Sequence, residues 1–278
     1  MAGPPNTCII LVNWNGRDDT MECLASLERA AMDNATVIVV DNGSEDGSVG
    51  EIRSRHPGVR ILAMGTNLRF AGGNNEGIRV ALASGADQVM LLNNDTTVEP
   101  GFLRAMTARL ASAPDIGVVA PKIYYYDRPD LLWYAGGEVS LWTGTMRHLG
   151  IREKDDGRFD RPRETDYATG CCLLTRRKVL ERVGLLDESY YMYAEDADWC
   201  TRVRNAGYRI MVEPGARVRH KVSVSAGGHL SRFKLKNKFL SNFRFFARHA
   251  SWYHWLTFPW MNFLMNAVSA IRYLHPRR

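Results

Sequence analysis

Short apolar runs alternate with amphipathic stretches over the first hundred residues. Cys8 to Val12, Thr36 to Val40 and Val89 to Leu92 are apolar at nearly every position. That is the pattern of strands buried on both faces of a parallel sheet. Asp18 to Ala31 carries Met21, Leu24, Leu27 and Ala31 at helical spacing. A second helix is predicted from Gly47 to Arg55 and a third strand from Val59 to Ala63. Such alternation implies parallel strands joined by right-handed crossovers.

The first, second and fourth strands each end in polar residues: Asn13 and Asn15, Asp41 and Asn42, Asn93 and Asp95. In open α/β sheets the carboxyl ends of the strands line the ligand crevice. Asp95 there can hold a divalent cation against a phosphate. It can equally open a turn before the helix expected beyond Pro100. Asn67 to Asn75 reads as a loop, with a helix following to about Ser84.

Periodicity fades in the middle of the chain. Tyr124 to Asp166 reads as irregular strands and turns, with a polar piece from Arg152 to Glu164 expected as a mobile surface loop. Order resumes with a strand from Tyr167 to Thr175, a helix from Arg177 to Val183 and another helix starting at Glu195. Tyr208 to Val212 and Ala216 to His220 read as two short strands.

From Ser231 onward, six basic residues from Arg232 to Arg248 interleave with Phe233, Phe239, Phe243, Phe245 and Phe246. Trp252, Trp255 and Trp260 follow. Two readings stand: a membrane-interface segment, or helices packed on the domain with basic outer faces. The expected organisation is a catalytic domain over residues 1–228 and a helical extension over 229–278.

Composition adds constraints. The 278 residues carry a net charge of +6 and a pI near 9.1, which favours anionic partners. The five cysteines are odd in number, with Cys171 and Cys172 adjacent and no C-x-x-C pair. They form neither a disulfide framework nor a zinc site, so a reducing, cytoplasmic setting is expected. Cys8 and Cys23 read as small buried hydrophobes. No signal-peptide pattern and no run of about 20 apolar residues occurs.

Six stretches together resemble glycosyltransferase family 2 in its rhamnosyltransferase-like bacterial branch. They are Ile10 to Asn15, Val39 to Ser48, Asn67 to Asn75, Leu92 to Asp95, Gly170 to Leu173 and Glu195 to Asp198. They keep the family's order over about residues 7 to 220. The resemblance implies the GT-A fold, a Rossmann-like, mostly parallel α/β sheet flanked by helices. It implies inverting transfer of a sugar from a nucleoside-diphosphate donor, dTDP-rhamnose or a UDP-sugar, to a saccharide or lipid-linked acceptor. It also implies assistance by Mg2+ or Mn2+ and a place in cell-surface polysaccharide assembly. With the basic tail, it suggests a peripheral position at an anionic inner membrane face. Nucleic acid is not an expected partner, and a homodimer is left open.

The resemblance also distributes roles. Asp95 would hold metal and diphosphate, but Asn93 and Asn94 replace the family's usual second carboxylate. His220 would then complete the metal site, unless it is a surface or core histidine. Asn13, Asn15, Asp41, Asn42, Asn67, Arg69, Gly72, Asn74 and Asn94 are candidate donor contacts. Asp41 can at the same time close an Asx-turn before Gly43. The Asn67–Asn75 piece can instead be a structural loop. Asp196 is the candidate general base, with Glu195 beside it. Both acids also suit a helix amino terminus. Gly170, Glu195 and Trp199 are candidate acceptor contacts, Trp199 being equally suited to the core.

Competing functions fit less well. A nucleotidyltransferase would carry a Gly-rich basic loop after the first strand, where Asn13-Trp14-Asn15-Gly16-Arg17 stands. A nucleic-acid binder is suggested by the tail alone. A non-catalytic partner in polysaccharide assembly is the remaining non-enzyme reading. Galactofuranosyl, glucosyl and N-acetylhexosaminyl donors are alternatives to rhamnosyl.

Overall fold

The computed structural model describes residues 5–30, 32–222, 236–257 and 260, and the main chain of 232–235. Expectations for Ala31 and for residues 261–278 lie outside the described residues.

The first half follows the predicted alternation: β1 (Thr7–Asn13), α1 (Arg17–Arg29), β2 (Ala35–Asp41), α2 (Ser48–Arg55), β3 (Arg60–Ala63), α3 (Arg69–Ala83) and β4 (Gln88–Leu92). The strands lie in the order β3-β2-β1-β4, all parallel. Ile9, Ile10 and Leu11 are fully buried, as continuous apolar strands covered on both faces must be. Cys8 and Cys23 are buried in this core.

Helix α3 corrects the expected loop at Asn67–Asn75. The chain turns helical at Arg69, so Gly72, Gly73, Asn74 and Asn75 occupy its first turns. Those glycines serve close packing on the sheet. A Cβ on Gly77 would sit 2.5 Å from Ile10 Cγ2, and one on Gly73 would sit 2.9 Å from Val12 Cγ1. A Cβ on Gly72 would meet Leu68 Cβ at 3.0 Å. Asn75 bonds the Leu186 main chain in both directions, at 2.9 and 3.0 Å, and so ties α3 to the chain leading into the site.

The second half extends the sheet. It comprises β5 (Thr96–Val98), α4 (Phe102–Ala111), β6 (Ile116–Tyr125), β7 (Leu131–Tyr134), β8 (Gly137–Ser140), β9 (Thr145–His148), β10 (Glu153–Lys154) and β11 (Arg163–Glu164). Then come β12 (Cys172–Arg176), α5 (Arg177–Val183), α6 (Glu195–Asn205), β13 (Arg209–His220) and α7 (Arg232–His249). A 3-10 turn follows over Trp252–Leu256.

Strand β12 inserts antiparallel between β4 and β6. Its amino end therefore meets the carboxyl end of β4, and Asn93 N donates to Cys171 O at 2.8 Å. The two short strands expected from Tyr208 to His220 are one strand, β13. Its register shifts between Glu213 and Arg217, where Pro214-Gly215 interrupts regular pairing. It runs parallel to β6 and antiparallel to β5, bringing His220 opposite Thr96.

The polar piece from Arg152 to Glu164 is anchored rather than a mobile loop. Fully buried Lys122 reaches out of β6 to Asp155 at 2.5 Å and Asp160 at 2.7 Å. A buried ammonium demands such partners. Burial opposes its charge, but the two carboxylates outweigh burial and raise its pKa.

Helix α7 packs back on the domain through Phe245 and Phe246. No helix among the described residues is long and apolar enough to cross a membrane.

Candidate active site

The carboxyl ends of the parallel strands, the start of β12 and the end of β13 meet around a cavity of about 770 Å³. Asn93, Gly170, Glu195, Asp196 and His220 all line it. They come from four separate stretches of chain, which the topology gathers at one edge of the sheet.

Asp196 is held by main-chain donors. Its Oδ2 accepts from Gly170 N at 2.9 Å and its Oδ1 from Ala197 N at 2.8 Å. The approach to α6 is strained: Tyr193 and Ala194 both adopt left-handed backbone, with φ of 69° and 68°. Such residues cost about 1–3 kcal/mol each and persist where surrounding structure enforces them. Burial raises the Asp196 pKa, partly opposed by the Gly170 and Ala197 N–H donors. Glu195 is more deeply buried, and its Oε2 has no hydrogen-bond partner among the described residues. Burial, then the neighbouring Asp196 charge, raises its pKa as well.

Gly170 is required by space. A Cβ there would sit 2.7 Å from Phe70 Cζ and 3.6 Å from Asp196 Cβ.

Asp198 faces away from the cavity and is fully buried. It accepts from Arg202 Nε at 3.0 Å and lies 2.8 Å from His249 Nε2. Burial opposes its charge, but His249, Arg202 and Arg248 outweigh burial and lower its pKa. Trp199, expected as an acceptor contact, belongs to the core. It is 2% exposed and donates from Nε1 to Gly184 O at 2.8 Å.

At the other wall, His220 Nε2 lies 3.1 Å from Asp95 Oδ1. The histidine expected to complete a metal site thus meets the expected carboxylate. Its Nδ1 is buried with no hydrogen-bond partner among the described residues. No three His, Cys, Asp or Glu side chains cluster as a metal cage among the described residues. The pair offers one oxygen and one imidazole. That suits a cation whose remaining positions go to phosphate oxygens and water.

Asn94 was expected to face the donor, yet its Nδ2 turns inward to Thr20 Oγ1 at 2.9 Å and Asn13 Oδ1 at 3.3 Å. Asn93 lines the cavity instead. The chain turns at Asn94 and Asp95 between β4 and β5, which sends the Asn94 amide to α1 and β1 and leaves Asn93 at the cavity.

A second polar cluster caps β1 and β2. Asp41 accepts from Asn13 Nδ2 and from Ser44 N, each at 2.9 Å, the latter closing the expected Asx-turn. Asn15 Oδ1 accepts from Glu45 N at 2.8 Å. Asn42 Nδ2 donates to Arg69 O at 3.1 Å, while its buried Oδ1 has no partner among the described residues. Asn67 Oδ1 accepts from Arg69 N at 2.8 Å and holds that residue in left-handed backbone. The Arg69 guanidinium stacks 3.9 Å over the Tyr191 ring. Asn74, expected as a donor contact, is 2% exposed and bonds back to Phe70 O at 2.9 Å.

The sequence model described as glycosyl transferase family 2 matches residues 8–184, more than half of the chain. The chain belongs to glycosyltransferase family 2. Its relatives include an N-acetylglucosaminyl-diphospho-decaprenol L-rhamnosyltransferase of Mycobacterium tuberculosis, 29% identical over 88% of this chain and 85% of the relative. A low-salt glycan biosynthesis hexosyltransferase of Haloferax volcanii is 24% identical over 96% of this chain and 87% of its own. The dTDP-rhamnosyl transferase RfbF of Shigella flexneri is 22% identical, over 78% and 69%.

Solved structures place this family 2 protein in the GT-A fold. A mannosyltransferase of Pyrobaculum calidifontis with GDP-Man and Mn2+ superposes with a TM-score of 0.65 at 18% identity, covering 99% of this chain and 76% of that one. GalNAc-T7 with UDP, GalNAc and Mn2+ gives 0.66 at 15% identity. That match covers 84% of this chain, which spans about half of GalNAc-T7, 47%. The protein is a glycosyltransferase, and its sheet edge is where the family chemistry must be sought.

Some of the cavity wall was not legible beforehand. Trp133 stands edge-on to both His148 and His220, with ring centroids 4.5 and 4.6 Å away. His148 is half-buried, and desolvation pushes its pKa down to about 4, so it is neutral near pH 7. Lys238 and Asn242 of α7 also line the cavity. None of these sits in a short motif, and only the folded chain brings them to the site.

Proposed function

We propose that this glycosyltransferase moves rhamnose from dTDP-rhamnose to a hydroxyl of a lipid-linked saccharide, inverting the anomeric centre. The observation that carries this reading is one cavity with two chemically distinct walls: Glu195 and Asp196 on one, and on the other His220, with Asp95 set against it at 3.1 Å. The names of the mycobacterial and Shigella relatives favour rhamnosyl as the sugar. The mycobacterial name favours a diphospholipid-linked acceptor and a role in cell-surface polysaccharide assembly.

In this reading the acceptor hydroxyl sits against Asp196. Its oxygen forms a bond to the anomeric carbon while the bond from that carbon to the diphosphate oxygen breaks. The bonding pair leaves with dTDP, and the hydroxyl proton passes to Asp196. The raised pKa makes Asp196 a stronger base than an exposed aspartate. The Gly170 and Ala197 N–H groups fix its orientation. Glu195 beside it, pushed up to about 8 by burial and by the Asp196 charge, stays protonated near pH 7 and leaves the negative charge to Asp196.

Asp95 and His220 would hold a divalent cation, Mg2+ or Mn2+, together with the donor diphosphate. When bound, that cation neutralises charge on the leaving diphosphate. Asn93 lies on the same wall. The nucleoside would lie at the ends of β1 and β2, among Asn13, Asn15, Asp41, Asn42 and Asn67. Asp41 and Asn13 hold that end in shape, and the unpartnered Asn42 Oδ1 would take a donor. Arg69, stacked on Tyr191, would meet phosphate. The exposed aromatic residues and basic charge of the tail support a peripheral place on the inner membrane face.

Thermal shift against a panel of nucleotide sugars, with and without Mg2+ and Mn2+, tests the donor assignment. Stabilisation by dTDP-rhamnose above UDP-hexoses is expected, larger with metal. Preference for a UDP-sugar would refute rhamnosyl, and no response to any nucleotide sugar would refute the enzymatic reading.

A further inference from the structure

Helix α7 carries six Lys or Arg residues and no acid in eighteen residues. Its described residues present two opposed faces. Phe245 and His249 lie on the buried side, where His249 meets Asp198 at 2.8 Å. Lys238 and Asn242 continue that stripe at spacings of four and three or four, which places them at the cavity. The opposite side exposes Phe239, Leu240 and Phe243, at 59%, 49% and 45%. The following turn exposes Trp252 and Leu256, at 77% and 67%.

The cavity is electrostatically divided. Its acids, Glu195 and Asp196, sit at the sheet edge, whereas Lys238 sits on the α7 side. Among the described residues Lys238 has no carboxylate partner, unlike Arg147, which lines the same cavity and is paired with Glu138. An acceptor with its hydroxyl against Asp196 and an anionic group beyond its sugar satisfies both ends of the cavity, the anion meeting Lys238.

We infer that Lys238 binds the diphosphate of a lipid diphosphate-linked sugar acceptor. The lipid chain then leaves the cavity along the exposed apolar face of α7, which lies in the bilayer interface. This inference rests on the proposed glycosyl transfer and adds to it the group that recognises the acceptor. The face suits this occupant: aromatic rings beside basic side chains partition into the boundary of an anionic bilayer. A diphosphate could also come from the donor, and that source is separated by the test.

The test is equilibrium binding to the full chain in detergent, without transfer. The probes are undecyl-diphospho-N-acetylglucosamine, undecyl β-N-acetylglucosaminide and dTDP. Wild type should bind the diphospholipid about tenfold more tightly than the glycoside, since an ammonium–phosphate hydrogen bond is charge-assisted. Lys238→Ala should abolish most of that preference, Lys238→Arg should keep it, and dTDP affinity should stay within about twofold in both. Equal wild-type affinity for the two lipids would overturn the inference, as would an undiminished preference in Lys238→Ala. Loss of dTDP affinity would assign Lys238 to the donor and also overturn it. Transfer from dTDP-rhamnose, measured separately, reports on the proposed reaction and not on Lys238.

Discussion

His249 Nε2 lies 2.8 Å from the Asp198 carboxylate, and Asp198 stands two residues beyond Asp196 on α6. The contact joins the basic tail helix to the helix that carries the candidate base. Two further bonds strengthen the join. Ser241 Oγ donates to Met192 O at 2.7 Å, and Arg248 pairs with Asp187 at 2.6 Å. Helix α7 therefore braces the strained Tyr193-Ala194 turn from outside. Its docking and the geometry of the site are one problem.

Breaking that brace should lower activity without touching the reacting groups. In His249→Ala, Asp198 keeps Arg202 but loses one buried partner. A destabilisation of about 1–3 kcal/mol is expected. The kcat should fall while the donor KM stays near wild type, because no hydrogen bond or ion pair among the described residues joins α7 to Asn13, Asn15, Asp41 or Asn42. Denaturant melts and steady-state kinetics check both. A changed donor KM with an unchanged kcat would show that the brace does not serve the base.

The Asp95–His220 pair predicts a specific metal phenotype. Two protein ligands make a weak site that phosphate must complete. His220→Ala should raise the Mn2+ concentration needed for half-maximal activity by about tenfold. Asp95→Ala should abolish metal dependence together with most activity. Titration of Mg2+ and Mn2+ at fixed donor reads this. Identical metal curves for wild type and His220→Ala would remove the histidine from the site.

Burial of Glu195 and Asp196 predicts opposite responses of activity and stability to pH. Both carboxyls have raised pKa values, principally through burial. Activity needs the ionised base, so the rate should climb with pH above the ordinary carboxylate range near about 4. The apparent values belong to the pair, not to either residue. Stability runs the other way. The folded state holds these protons more tightly than the unfolded chain, so its stability declines as pH rises from the unfolded pKa through the raised folded one. Glu195→Gln should therefore raise Tm more at pH 7 than at pH 4. A shift equal at both pH values would remove burial of charge as its cause.

Much of the fold could be read beforehand because β1, β2 and β4 are continuous apolar runs closed by polar residues. Such runs have one stable environment, the middle of a covered parallel sheet. Asp95 and His220 were legible singly, and the structure adds that β13 carries one to the other by pairing with β5. Other features escaped for physical reasons. The glycines of α3 look like a loop in sequence, since glycine is a poor helix former, yet close packing on Ile10 and Val12 requires them. Trp199 follows two acids and resembles a ligand contact, but helical spacing turns it into the core beside Cys200. Lys122 and the Arg152–Glu164 piece lie far apart in sequence, and no local pattern announces their ion pairs. Asn93 and Asn94 differ only in where the turn after β4 leaves each side chain.

The central claim is that Asp196 removes the acceptor proton. The most direct measurement is single-turnover transfer from dTDP-rhamnose by Asp196→Asn, with saturating donor and acceptor and folding checked by its melt. Asparagine keeps the shape and can still accept from Gly170 N, but it cannot take the proton. The account predicts a rate reduced about 10²–10⁴-fold with Tm preserved or raised. A rate within a few-fold of wild type would contradict it.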